Sequence, residues 1–418
     1  MQRHDAEVLL VGNELLRGER RDAHLAFVAQ AMQRTGVRIA ECHCVGDDIH
    51  AIAEKLRERM ARTRVLVVTG GLGPTDDDVT REGVAEAVQQ PLEFRDEQWS
   101  HIATFMASRG RTASEANRRQ AHFPRGSDVL ANPLGTAPGF ALEYEGAHVF
   151  VLPGPPGELQ AMFTELVLPR VEKVFERPPL RMEHFRTMGI GESQLVEMLG
   201  DAVRDLKGFT VSWLPNIFGV DIVLTGKPGA ADTIMSDEAG RLNERLTEHL
   251  GSKFYEHGER PLAKVVGDEL VARSQTVAAA ESLTGGTVAR LFTEHSGSSA
   301  YFLASTVAYA DDAKVDLVGV RAETIKEFGA VSEEVCTEMA HGIRRRAKST
   351  WGLATTGIAG PTGGTPHKPV GLTFIAVAWE GGVQVKRLLY TGDRNTIRER
   401  AAHGVIWLLH DRLTRDSA

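Results

Sequence analysis

Apolar residues near the N-terminus fall into short blocks that alternate between two periodicities. Residues 6–12 (AEVLLVG), apolar apart from Glu7, predict a buried strand. Residues 24–36 (HLAFVAQAMQRTG) carry a helical stripe that ends at Gly36. A strand over 37–46, a helix over 48–61 and a strand over 64–71 follow. This βαβαβ order predicts a parallel sheet with right-handed crossovers. Ligands of such sheets bind beyond the C-terminal strand ends. The loops there are VGNELLRG (11–18), the CVGDD turn and TGGLGPTDDD (69–78).

The pattern changes after ERPPL (176–180), where two adjacent prolines mark a boundary. Residues 180–255 read strand, helix, two strands, long helix, short strand, the split βαβ order of a small α+β module. From 256 onward a helix over 261–275 opens a third segment, and alternating strands and helices are expected to the C-terminus. The expected domains are therefore 1–176, 177–255 and 256–418. The fold class is α/β with a small α+β module in the middle.

Composition narrows the function. At 418 residues the chain is too long for one ordinary domain. A net charge of −8 argues against a broad nucleic-acid-binding surface, so direct nucleic-acid contact is not expected. Three cysteines, an odd and sparse count, suit a reducing compartment. Cys42-His43-Cys44 has no second ligand pair at zinc-site spacing and reads as strand. The N-terminus lacks an apolar leader, and no run approaches membrane-spanning length. A cytoplasmic protein with no membrane partner is expected.

Two segments concentrate chemistry. In AAAESLTGG (278–286) an apolar strand breaks into small residues ahead of a helix. Such a turn aims backbone N–H groups at whatever lies above it. Ser282 is a candidate nucleophile there, although Ser before Thr-Gly-Gly also suits a plain turn with a helix cap. In VAYADDAK (307–314), Lys314 is a candidate base, provided burial or a nearby cation lowers its pKa. Asp311 and Asp312 would oppose that, so they are expected to face solvent or pair elsewhere.

These segments, with HSGSSAYF (295–302), ATTGIAGPTGG (354–364) and TGDRNTIRERA (391–401), resemble the C-terminal domain of the CinA (competence/damage-inducible protein) family. VGNELLRG, TGGLGPTDDDVTRE (69–82), NRRQA (117–121), NPLGTAPGF (132–140) and LPGPPGE (152–158) resemble its N-terminal domain. The resemblance implies a molybdopterin-binding-like α/β domain, a KH-like middle module and a C-terminal nicotinamide mononucleotide deamidase. In several members the N-terminal domain is an ADP-ribose pyrophosphatase. A homodimer is also expected.

Under that resemblance Ser282 attacks the carboxamide, Lys314 takes its proton and Tyr309 tunes the transfer. Oxyanion donors are expected at Thr284, Gly285 and Gly286, or at Thr356 and Gly357. Gly297, Ser298 and Ser299 are expected to line the pocket, and Arg394 and Arg398 to clamp the 5′-phosphate. The deamidase needs no cofactor. In the N-terminal domain Gly70, Gly71, Gly73, Pro74 and Thr75 would wrap the ADP-ribose phosphates, joined by Asn13, Glu14 and Glu158. Asp76 and Asp77 would hold Mg²⁺ or Mn²⁺, with Asp78 as a helix cap. Asn13 and the stretch Asp22-Ala23-His24 depart from the family pattern. The alternatives are an N-terminal domain that only binds nucleotide or molybdopterin, and a binding protein in DNA uptake or repair.

Overall fold

The structure, a computed structural model, describes residues 3–204, 206–227 and 231–416. It divides into two compact units, Met1–Arg181 and Met182–Ala418.

In the first unit β1 (His4–Val11), β2 (Ile39–Val45) and β3 (Thr63–Thr69) are parallel, with helices Leu25–Gln33 and Ile49–Met60 as crossovers. A short antiparallel pair, β4 (Leu92–Phe94) and β5 (His122–Pro124), lies outside this sheet. The sheet continues through β6 (Asp128–Leu130), β7 (Gly139–Tyr144) and β8 (Ala147–Leu152) in the order β2-β1-β3-β8-β7-β6. β8 extends the parallel part, whereas β7 and β6 pair antiparallel. Both faces are covered because β1 buries residues of both parities. Leu9 and Val11 enter one core, and Ala6, Val8 and Leu10 enter the other.

The second unit opens with β9 (Met182–Thr187), β10 (Phe209–Pro215), β11 (Val220–Gly226) and β12 (Phe254–His257), an antiparallel sheet ordered β10-β11-β9-β12. Helices Glu192–Arg204 and Asp232–Leu250 cover it, with Leu195, Leu199, Leu242 and Leu246 in the shared core.

The remaining sheet is built from β13 (Val277–Glu281), β14 (Phe302–Val307), β15 (Trp351–Gly357), β16 (Leu372–Trp379) and β17 (Gly382–Leu389), ordered β14-β13-β15-β16-β17. β14, β13 and β15 are parallel; β16 and β17 are antiparallel and follow one another without an intervening helix. Strict strand–helix alternation to the C-terminus, expected from the pattern, therefore fails after β15. The burial of seven of the eight β16 residues leaves no polar alternation to distinguish the two cases. The alanine-rich β13 splits its side chains, with Val277 and Ala279 packing beside Phe292 and Trp351, and Ala278 and Ala280 beneath helix Glu333–Ala347. Small side chains on both faces let the flanking helices approach closely.

Candidate active sites

The parallel strands β14, β13 and β15 end side by side, and three chemistry-bearing segments leave them there. Ser282 follows β13 directly, and its N–H donates to Thr355 O of β15 at 3.0 Å. On the other side Ala308 N–H donates to Glu281 O at 2.8 Å. Ser282 is thus fixed from both flanks by backbone ladders and is itself 8% exposed.

The turn that follows requires glycine: Gly285 and Gly286 take φ of +58° and +95°. Helix Thr287–Thr293 starts immediately afterwards. The carboxylate of Glu281 lies under that start. Its Oε2 accepts from Gly286 N–H at 2.9 Å and Val288 N–H at 3.0 Å, and its Oε1 from Ala289 N–H at 2.9 Å and Ser305 Oγ–H at 3.0 Å. Gly285 N–H donates to Ser282 O at 3.1 Å. The Gly285 and Gly286 amides, expected as oxyanion donors, are therefore occupied by the protein itself. Leu283 and Thr284 N–H have no acceptor among the described residues.

The alternative donors expected from sequence lie at the end of β15. Thr356 is fully buried opposite Phe374 in the β15–β16 ladder, and its hydroxyl donates to Ala330 O at 2.8 Å. Gly357 packs on Leu283, where a Cβ would come 3.0 Å from Leu283 Cδ1. Leu283 in turn is buried with Ala359, Ile397 and Ala401. It docks the serine turn onto helix Arg394–Asp416, a packing role that the sequence did not reveal.

Lys314 sits in helix Asp311–Val318, just beyond β14, and is 2% exposed. Its Nζ donates to Tyr309 O at 3.0 Å and lies 3.7 Å from Asp311 Oδ1. Burial holds the Lys314 pKa below its ordinary value; Asp311, and less strongly Tyr309, push the other way. Asp311 thus meets Lys314 instead of pairing elsewhere, because three residues of helix put both groups on one face. Asp312 is exposed and does not act on Lys314. No hydrogen bond joins Lys314 to Ser282 Oγ among the described residues; such contacts often tighten only around substrate.

Tyr309 meets Lys314 through its carbonyl, while its phenol is turned outward at 57% exposure. Arg394 donates to the Tyr309 hydroxyl at 2.8 Å and to Gly360 O at 2.7 Å, bridging the segments after β14 and β15. Arg398 donates to Thr284 O at 3.0 Å, bracing the serine turn. Asp393 caps the helix through Thr396 N–H at 2.7 Å, and Glu399 pairs with Arg290 at 2.9 Å. A cleft of about 260 Å³ beside the turn is lined by Gly285, Gly286, Thr287, Arg290, Asn395, Arg398 and Glu399. Glu399 was expected from sequence as an ion-pair partner at the helix end, but its partner Arg290 was not singled out. The expectation for Gly297, Ser298 and Ser299 fails. They form a turn ahead of β14, at the opposite end of the strand from Ala308, about 16 Å away at 3.3 Å per residue.

In the first unit the loops after β1, β3 and β8 enclose a cleft of about 850 Å³. Gly70, Gly71, Gly73, Pro74 and Thr75 line it, together with Glu14, Asp77 and Glu158. Gly70 has φ +99° and a Cβ there would stand 2.2 Å from Val11 O, so the loop crosses the strand end only as glycine. Asn13 is not in the wall: its N–H donates to Asp47 at 2.8 Å and its side chain lies against Gly46. Asp76 is fully exposed and pairs with Arg119 at 2.9 Å, outside the cleft. Asp78 closes the loop by accepting from Thr75 N–H at 2.9 Å, and the helix begins only at Thr80; it is not the helix cap.

Asp47 was the missed residue, and Asp22 and His24 line the cleft despite departing from the family pattern. Burial raises the Asp47 pKa, the Asn13 N–H lowers it, and Glu14, Asp77 and Asp78 raise it. His24 donates from Nε2 to Gly154 O at 2.8 Å and meets Thr69 Oγ1 at 3.2 Å, tying the loops after β3 and β8 together. The described residues contain one group of three metal-ligand side chains within 4.8 Å of one another, Glu7, Glu41 and His43. Arg59 occupies it, donating to Glu41 and lying 3.0 Å from His43 Nε2.

Comparison with known proteins matches three segments of the chain. The chain matches "CinA C-terminal domain" over residues 259–413, "Damage-inducible protein CinA KH domain" over 183–255 and "Probable molybdopterin binding domain" over 7–173. A CinA-like protein of Desulfosudis oleivorans is 39% identical over 401 residues, covering 94% of this chain and 96% of the relative. The chain belongs to the CinA family. A CinA-like protein of Solibacter usitatus is 36% identical over 413 residues, 98% of each chain. The solved competence/damage inducible protein CihA of Agrobacterium tumefaciens is 39% identical with a TM-score of 0.35, covering 35% of this chain and 91% of that one. This CinA chain has no described helix long and apolar enough to cross a membrane.

Proposed function

We propose that the C-terminal part of this CinA protein is a serine amidohydrolase that converts nicotinamide mononucleotide to nicotinic acid mononucleotide and ammonia. The observation that carries the reading is Lys314: a buried amine with a lowered pKa on the segment leaving the strand beside Ser282. Neutral Lys314 accepts the Ser282 proton as Oγ attacks the carboxamide carbon. The oxyanion forms above the Leu283 and Thr284 amides, the turn donors that no protein group uses. Lys314 then returns the proton to the departing ammonia, and water hydrolyses the acyl ester. Arg394, the more exposed of the arginine pair, meets the 5′-phosphate, while Arg398 holds the turn. Ammonia release from nicotinamide mononucleotide, compared with free nicotinamide and NAD, tests the substrate class.

For the first unit the reading is a nucleotide site for ADP-ribose with a divalent cation. The facing carboxylates Glu14, Asp47 and Asp77 are oxygen donors suited to a hard cation. A bound cation would neutralise pyrophosphate charge and favour attack by water. Asp76 is withdrawn from that set. Nucleotide binding without turnover is the second reading, favoured by the absence of three ligand atoms within 4.8 Å among the described cleft residues. Cleavage of ADP-ribose with and without Mg²⁺ or Mn²⁺ separates the two.

A further inference from the structure

Glu281 has no role in the chemistry above, yet it is fully buried next to the nucleophile. Four donors converge on its two oxygens at 2.9–3.0 Å: three backbone amides of the helix start and the hydroxyl of Ser305 on β14. Its own backbone is held by Ala308 N–H, and the next residue by Thr355 O. One side chain thus ties together the end of β13, the start of helix Thr287–Thr293 and the neighbouring strand β14.

Helix-start amides ordinarily attract whatever anion is near. Here an internal carboxylate takes the amides of Gly286, Val288 and Ala289. Of the amides in this turn, that leaves the substrate oxygen the Leu283 and Thr284 donors earlier in the chain. It also fixes where the chain turns, because the carboxylate reaches past Ser282 to clamp residues five to eight positions on. Ser282 Oγ is carried between these two anchors.

We infer that Glu281 is a positioning residue for Ser282. It sets the turn so that the Ser282 hydroxyl and the Leu283 and Thr284 amides face the same point. This rests on the amidohydrolase reading above. Glutamine is the informative replacement. It matches glutamate in size, but its NH₂ would face the Ala289 N–H in one orientation, where the Ser305 hydroxyl can turn to accept, or the Gly286 and Val288 N–H groups in the other. At least one backbone hydrogen bond becomes a donor–donor repulsion, and the turn shifts while the core volume is conserved.

The test uses the full chain at a temperature well below the melting midpoint of every variant. Wild type and Ser282→Ala are assayed first for ammonia release from nicotinamide mononucleotide. Activity in the former and its loss in the latter establish the parent reading; any other result removes the parent reading and this inference with it. Glu281→Gln should then lower kcat at least 100-fold with KM within about threefold of wild type. It should also slow covalent labelling of Ser282 by a sulfonyl fluoride. A purely structural glutamate would lower the melting temperature and leave both rates per folded molecule unchanged. Ser305→Ala removes one donor without touching the carboxylate. It should lower kcat about five- to tenfold at unchanged KM, and it keeps the inference testable if Glu281→Gln fails to fold. A kcat within threefold of wild type in folded Glu281→Gln, or in Ser305→Ala should the first variant not fold, overturns it.

Discussion

The 3.7 Å approach of Asp311 to Lys314 allows a prediction of increased rather than lost activity. If Lys314 must be neutral to accept the Ser282 proton, a neighbouring carboxylate is a handicap, since it favours the ammonium. In bulk water two unit charges at this distance interact by about 1 kcal/mol, and at an effective dielectric constant of 20 by about 4 kcal/mol. Asp311 is 60% exposed, so the aqueous end of that range applies, about 1–2 kcal/mol. Asp311→Asn should therefore move the acid limb of the pH–rate profile to lower pH. On that limb the rate rises about 5- to 30-fold, at 1.4 kcal/mol per factor of ten. The plateau at higher pH, where Lys314 is already neutral, should not change. Asp312→Asn is the control, because Asp312 does not act on Lys314. Salt should compress the difference between Asp311→Asn and wild type. The variant also loses a carboxylate from the first helical turn, so a small stability loss of about 0.3–1 kcal/mol accompanies the gain in rate. The assay is kcat/KM for ammonia release across pH. A limb that stays in place, or moves to higher pH, refutes the assignment of Lys314 as base.

Lys314→Arg should lower kcat by about 10²–10⁴-fold, because a guanidinium keeps its proton, and its profile should lack the ionisation seen in wild type; near-normal turnover would show that position 314 supplies charge only. Asp77→Asn should reduce cation-dependent ADP-ribose cleavage at least tenfold and spare ammonia release, since the two sites belong to different compact units; loss of both activities in folded protein contradicts it. Gly342→Ala lies in a helix where alanine normally gains about 1 kcal/mol. Its Cβ would stand 1.6 Å from Val318 O, an overlap with backbone that wins over propensity, so a loss of about 1–3 kcal/mol is expected in denaturant melts; an unchanged midpoint contradicts the packing.

Much of this was legible in the sequence because its signals are local. The apolar blocks of β1 and β3, the glycines at 70, 71, 285 and 286, and the proline pair at 178–179 each act within a few residues of themselves. What escaped depends on groups distant in sequence. Glu281 reads as the polar end of a strand, and only the fold shows that it captures amides up to eight residues ahead and Ser305 on another strand. Asp76 and Asp77 are indistinguishable as a pair, yet Arg119, more than forty positions on, draws Asp76 away from the cleft. Gly297–Ser299 is near Ser282 in sequence, but a full helix separates them, and a βαβ crossover returns the chain to the far end of the sheet.

The central claim is that Ser282 and Lys314 form an amidohydrolase. Ammonia release from nicotinamide mononucleotide by wild type and Ser282→Ala, each shown to be folded, tests it most directly. The account predicts turnover by wild type and less than a few per cent of it in the variant, with substrate binding retained. Comparable turnover in the two proteins would contradict the nucleophile, and no ammonia from wild type would contradict the reaction itself.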